Sequence, residues 1–212
     1  MLRTLLVFTL PFTTLLAGLP SVEGNTFQGA PSQLNLAEIP IEKNAEKQTA
    51  NALAKLQESA EQGDLDAQAR LGIMYYWGEG APMDWERAKV WLRKASERGN
   101  ADAQAKLGAM CFLGQGGPRN VEESVKWFTK AAEQGEPYAA GCMGVMYAVG
   151  EGVPKDLVKA WVWLNLAKDG GDSDAAEPLS QVEAHLTKDE LKDAKERLAN
   201  RANPAVRTQT AD

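Results

Sequence analysis

From about residue 52 to residue 202 the apolar positions of the chain fall at helical spacing, in short blocks that glycine and proline repeatedly interrupt. Ala67, Leu71, Met74 and Tyr75 stand at i, i+4, i+7 and i+8, which is one face of a helix. Gly78, Gly80 and Pro82 follow, a loop that supplies left-handed backbone conformations and then stops that helix from continuing. Asp84 is placed to accept from the orphan N–H groups at the start of a second helix. That helix has Ala88, Trp91, Leu92 and Ala95 as its apolar face, and Gly99 ends it in the left-handed position after the last turn. One unit is therefore helix, loop, helix, glycine.

The unit recurs on a ruler of 36 residues: Gly63, Gly99, Gly135 and Gly171 keep the step, as do Ala67, Ala103, Ala139 and Ala175. Leu71, Leu107, Met143 and Leu179 continue it, with Gly72, Gly108 and Gly144 beside them. Pro82, Pro118 and Pro154 fall in line, then Asp84, Asn120 and Asp156, then Trp91, Trp127 and Trp163. Gly72 sits inside a helix, where it costs about 1 kcal/mol against alanine, so its recurrence implies close approach of the paired helix. Asn120 with Glu123 makes a capping-box-like pair. Pro137 falls in the first turn of a helix, where its missing N–H does no harm.

The run Ala67-Gln68-x-x-Leu71-Gly72-x-x-Tyr75-x-x-Gly78-x-Gly80, then Asp84, Ala88-x-x-Trp91-x-x-x-Ala95 and Gly99, resembles the Sel1-like repeat. That repeat is a relative of the tetratricopeptide repeat with a longer inter-helix loop, and the match covers about residues 51–202. The resemblance and the periodicity together predict an all-α chain: a right-handed α-α superhelix, or solenoid, of about three full 36-residue repeats with helical caps.

The expected organisation is a signal peptide at 1–24, a flexible segment at 25–44, a solenoid at 45–202 and a flexible tail at 203–212. The repeats fall at 64–99, 100–135 and 136–171, with a partial cap at 172–202. Ala52, Leu56 and Ala60 align one period before Ala88, Leu92 and Ser96, so 45–62 reads as a lone second-type helix. At the far end Ser180 and Glu183 replace the glycine and tyrosine of the repeat. Thr187 and Glu190 then form a capping box before a charged helix, the polar outer face that a terminal repeat needs. Arg3, the apolar stretch from Leu5 to Leu19, and Val22 and Gly24 at −3 and −1 compose the leader. About 15 apolar residues fall short of the ~20 that span a bilayer; an uncleaved anchor is the alternative. The mature chain is expected to be periplasmic or secreted, without membrane insertion.

Charge narrows the partners. The chain carries 23 Lys+Arg against 29 Asp+Glu, net −6, and has no run of basic residues for nucleic acid or anionic lipid. A protein or peptide partner is expected, not nucleic acid; oligomeric state is not fixed. The lone histidine, His185, has no nearby cysteine or second histidine with which to bind a metal. No Ser-x-x-Lys, Gly-x-Ser-x-Gly or phosphate-loop glycine motif occurs. No catalytic residue, metal or cofactor is therefore expected. Cys111 takes the core-facing column of Tyr75 and Tyr147, while Cys142 takes the outward column of Arg70 and Lys106. Helix rise and packing distances place their Cα atoms roughly 12 Å apart, beyond the ~7 Å limit for a bridge. Two free thiols are expected, with a disulfide as the alternative.

In the tetratricopeptide fold, first helices line an inner groove. The resemblance places Asp66, Ala69, Ile73, Tyr76 and Trp77 there. It adds Asp102, Ala105, Ala109, Phe112 and Leu113, then Tyr138, Gly141, Val145, Ala148 and Val149. Ile73, Tyr76, Trp77, Ala109, Phe112, Leu113, Tyr138 and Val145 are the expected protein-binding residues, because large apolar side chains on an accessible groove suit a peptide or helix. The alternative is that some of them pack between repeats. The expected function is an exported, non-enzymatic interaction adaptor or scaffold that holds a protein or peptide in its concave groove. Two rivals are a secreted or periplasmic hydrolase of β-lactam or cell-wall type, and a structural spacer without a groove ligand.

Overall fold

The computed structural model describes residues 40–202, with side chains over 48–201. The expected leader, the segment up to residue 39 and the tail from 203 lie outside the described residues. What is described is an all-α solenoid: α1 (Pro40–Glu61), α2 (Leu65–Trp77), α3 (Trp85–Glu97), α4 (Ala101–Leu113), α5 (Val121–Glu133), α6 (Pro137–Val149), α7 (Leu157–Asp169), a 3-10 turn (Ser173–Ala175), α8 (Ala176–Glu183) and α9 (Lys188–Ala202). No strand occurs among the described residues. α1 begins at Pro40, five residues ahead of the start that the repeat period suggests.

Each unit is a tightly closed hairpin, and mid-helix glycine is what allows it. A methyl group built on Gly72 would lie 2.7 Å from Leu92 Cγ, one on Gly108 2.8 Å from Phe128 Cδ1, and one on Gly144 2.6 Å from Leu164 Cγ. The helix propensity lost at glycine is thus exchanged for interhelix contact at the same point in all three units. Gly78 turns the chain out of α2 with φ +74°, and the N–H of Asp84 returns to the carbonyl of Tyr75 at 2.9 Å. Asn120 to Cys111 (2.8 Å) and Asp156 to Tyr147 (2.9 Å) repeat that closure.

The second helices start on the expected caps. Asp84, Asn120 and Asp156 accept from the N–H groups of Arg87, Glu123 and Lys159 at 2.9, 3.0 and 2.9 Å. The capping box expected at Asn120 and Glu123 is only half formed. The Glu123 carboxylate is drawn away, accepting from Trp127 Nε1 at 3.4 Å and pairing with Arg93 of α3 at 2.7 Å. The box at Thr187 and Glu190 is complete, with bonds of 2.9 and 3.3 Å in the two directions. Asp64, Asn100 and Glu136 cap the first helices in the same way.

Buried glutamines peg one unit to the next. Gln68 donates to the carbonyl of Ala60 at 3.0 Å, and Gln104 donates to that of Ser96 at 2.9 Å. Arg98 and Gln134, each at the end of a second helix, donate in turn to Oε1 of Gln68 and Gln104, at 3.3 and 2.6 Å. Apolar side chains fill the remainder in two clusters, around Leu71, Leu92 and Leu107 and around Met143, Trp163 and Leu164.

Candidate interaction surface

The first helices α2, α4 and α6 lie side by side, so residues in one column of the repeat meet across unit boundaries. Between α4, α6 and the 172–178 stretch this face opens into a cavity of about 330 Å³. Its walls are apolar: Ala109, Phe112 and Leu113 from α4, Tyr138, Val145 and Met146 from α6, with Phe128 and Leu164 at the back. Its volume lies at the small end of the range for ligand pockets, room for one or two bulky side chains.

The expected contact residues divide into three groups. Ala109, Phe112, Leu113, Tyr138 and Val145 line the cavity together. Leu113 (58%), Val145 (41%) and Tyr138 (44%) are exposed, whereas Ala109 is 5% exposed and presents little surface. Tyr76 and Trp77 stand on the adjoining helix, their rings edge to face at 4.8 Å. The Lys106 ammonium joins them to the cavity, 5.4 Å from the Trp77 ring and 5.3 Å from the Tyr138 ring. Ile73 is half-buried against the N-terminal core cluster. Ala69 and Ala105, expected in the groove, are buried between helices.

Trp77 and Phe112, one residue out of register at the ends of α2 and α4, have different surroundings. Trp77 is 55% exposed. Phe112 is half-buried under Arg119, whose guanidinium lies 4.8 Å from the ring centre, donates to the Phe112 carbonyl at 2.8 Å and pairs with Glu151 of the next loop.

The family-model comparison places Sel1 repeats at residues 65–100, 101–136 and 138–172. The chain belongs to the Sel1-repeat family. Proteins of this family are typically interaction scaffolds and generally non-enzymatic. A Sel1 repeat protein from Oxalobacter formigenes is similar at 36% identity with a TM-score of 0.55, covering 61% of this chain and 98% of its own. The protein c5321, a protective antigen of uropathogenic Escherichia coli with an SLR fold, is similar at 32% identity with a TM-score of 0.65. That match covers 76% of this chain and 36% of the antigen. No curated protein matches the chain.

Several residues of this Sel1-repeat surface escape the repeat pattern. Cys142, placed outward by its column, is half-buried in the cavity wall. The columns of Ala69/Ala105 and Arg70/Lys106 change to Gly141 and Cys142 in the third unit, and that change is the signal that was present in the sequence. Gly141 leaves a notch that the Asp172 carboxylate enters: a methyl at Gly141 would lie 2.6 Å from its Oδ2. Burial pushes the Cys142 thiol up to about 11, with the Glu136 and Asp172 carboxylates adding to the shift and the Tyr138 hydroxyl opposing it. Desolvation likewise holds the Tyr138 phenol above its usual range, although much of the ring is open to solvent. Cys111 is fully buried and its thiol is also raised to about 11, by desolvation and then by the Glu123 carboxylate. Both thiols are unpaired.

Among the described residues no group of three or more His, Cys, Asp and Glu could hold a metal ion. His185 is exposed, its Nδ1 2.7 Å from the carbonyl of Gln181. No helix among the described residues is long and apolar enough to cross a membrane.

Proposed function

We propose that this Sel1-repeat chain is an exported, non-enzymatic adaptor that docks a protein or peptide on the face formed by its first helices. The observation that carries the reading is the cavity. Tyr138, Leu113 and Val145 are large, apolar and exposed around one concavity, while the core columns behind them are closed. Such side chains are costly to leave in water unless something covers them. Aromatic and aliphatic anchors around a desolvated pocket are also where interfaces concentrate their binding energy. Membership of a scaffold family points the same way. Export rests on the leader-like residues 1–24, and two solved relatives come from bacteria.

The test is a substitution that fills the cavity without touching the core. Val145→Arg places a charged chain in the apolar mouth, and loss of partner capture with an unchanged thermal midpoint is the expected result. Unchanged capture by a folded variant overturns the reading in favour of a spacer.

A further inference from the structure

The cavity is electrically lopsided. At its α8 end stand Asp172 and Asp174, both lining residues. Asp172 caps the 3-10 turn with Oδ1, which accepts from the Asp174 N–H at 3.1 Å. Its Oδ2 points toward Gly141 and takes part in no hydrogen bond or ion pair among the described residues. Asp174 has no cationic partner among them either. Glu136 lies outside the cavity lining, where it caps α6 beside Asp102 and Lys106. Lys106 is held over the Trp77 and Tyr138 rings on the α2 side. Capping accounts for one oxygen of Asp172 and for Glu136, and leaves the spare oxygen and Asp174 without an internal role.

We infer that the occupant of the cavity is a peptide segment carrying a bulky aliphatic or aromatic side chain beside a lysine or arginine. The apolar side chain fills the space between Leu113, Val145 and Met146, and the cation meets Asp172 and Asp174. The inference rests on the docking reading above and deepens it. Carboxylates beside an apolar wall act in a lower dielectric than free solvent, so a cation there is held more strongly than on an open surface. A purely apolar occupant would leave that end of the cavity unmatched, and an acidic one would be repelled.

The experiment is selection of a random library of capped hexapeptides on the full chain. The selected peptides are then titrated by fluorescence polarisation against wild type, Val145→Arg and the pair Asp172→Asn/Asp174→Asn. Asparagine retains the cap at 172, so the turn is kept while the charge is removed. The expected result is enrichment of Leu, Ile, Phe or Met within two positions of Lys or Arg. Affinity should fall about three- to tenfold in the asparagine pair and should weaken with salt in wild type, a readout that needs no variant. Binding should be abolished by Val145→Arg. Enrichment of apolar residues without a basic neighbour, or salt-independent binding of equal strength to the asparagine pair, overturns the charge inference and leaves the docking face standing. Binding that survives Val145→Arg, or no enrichment at all, overturns both.

Discussion

The first two units and the third are built on the same ruler but finish their first-helix face differently. In the first two, a glutamine at the start of the first helix pegs the preceding carbonyl and is itself bonded by the end of its second helix. In the third those columns are Ala140 and Gly170, and the peg is gone. Apolar contact replaces it: a methyl on Gly170 would lie 2.8 Å from Pro137 Cγ. On the face, Ala69 and Ala105 give way to Gly141, Arg70 and Lys106 to Cys142, and Asp66 and Asp102 to Tyr138. Smaller side chains at 141 and 142, and an aromatic ring in place of a carboxylate at 138, line the cavity of the third unit. In a repeat protein, departures from the repeat are where a site can be told from scaffold.

Cutting into the shared scaffold gives the largest expected effect. Leu164 is fully buried against Gly144, so Leu164→Ala should cost about 2–5 kcal/mol in a denaturant titration. Gly108→Val, which drives its side chain at the Phe128 ring, should cost about 1–3 kcal/mol. Gly141→Ala meets only a movable carboxylate and should cost less than Gly108→Val. If the two glycine variants lose equal stability, the distinction between scaffold and site is wrong.

The pegs come next. Gln104→Ala removes one buried and one part-buried bond and should cost about 1–3 kcal/mol. The same truncation has no counterpart at Ala140. Trp77→Ala and Phe112→Ala sharpen the comparison further. The exposed Trp77 should leave the thermal midpoint nearly unchanged, while Phe112 under Arg119 should lower it measurably.

A pH titration of stability reads the thiols. Burial raises Cys111 to about 11, so the unfolded chain ionises from about pH 9 while the folded one stays protonated. The unfolded state then binds fewer protons, and stability falls as pH rises from 9 to 11. Cys111→Ala should make that slope shallower at the cost of a small cavity, the part from Cys142, also raised to about 11, remaining.

The smallest effect concerns the cap. Lys94 covers Trp91 at 4.1 Å and Lys130 covers Trp127 at 4.6 Å, but the next residue in that column is Leu166, and Arg201 of α9 covers Trp163 at 4.0 Å instead. Arg201→Ala should therefore cost at most about 1 kcal/mol and loosen α9, read as faster amide exchange there.

These positions also mark what the sequence made legible. Gly72, Asp84, Trp91 and Gly99 repeat because each unit needs the same close approach, cap, core ring and stop, and so the period alone specified the helices and loops. The large residues of the cavity wall, Phe112, Leu113, Tyr138 and Val145, were placed on the first-helix face by the resemblance to the tetratricopeptide fold, although they stand in four different columns of the repeat. The cavity-facing roles of Asp172 and Asp174 were not legible, although Asp172 stands in the cap column of Asp64, Asn100 and Glu136 and Cys142 visibly breaks the column of Arg70 and Lys106. Those roles depend on how a shortened fourth unit lies across Gly141, a tertiary contact no repeat column encodes. Nor did the capping pattern show that Glu123 would leave Asn120 for Arg93, since that pairing crosses units.

The central claim is that the third unit's cavity, and not exposed apolar surface in general, is the docking site. Photo-crosslinking from benzoylphenylalanine placed at Val145, compared with the same group at exposed Val90 on α3, tests it most directly in the native compartment. The account predicts a discrete protein adduct from position 145 that an excess of the selected basic-apolar peptide suppresses, and none from position 90. Equal adducts from both positions, or an adduct at 145 that the peptide leaves unchanged, would contradict it.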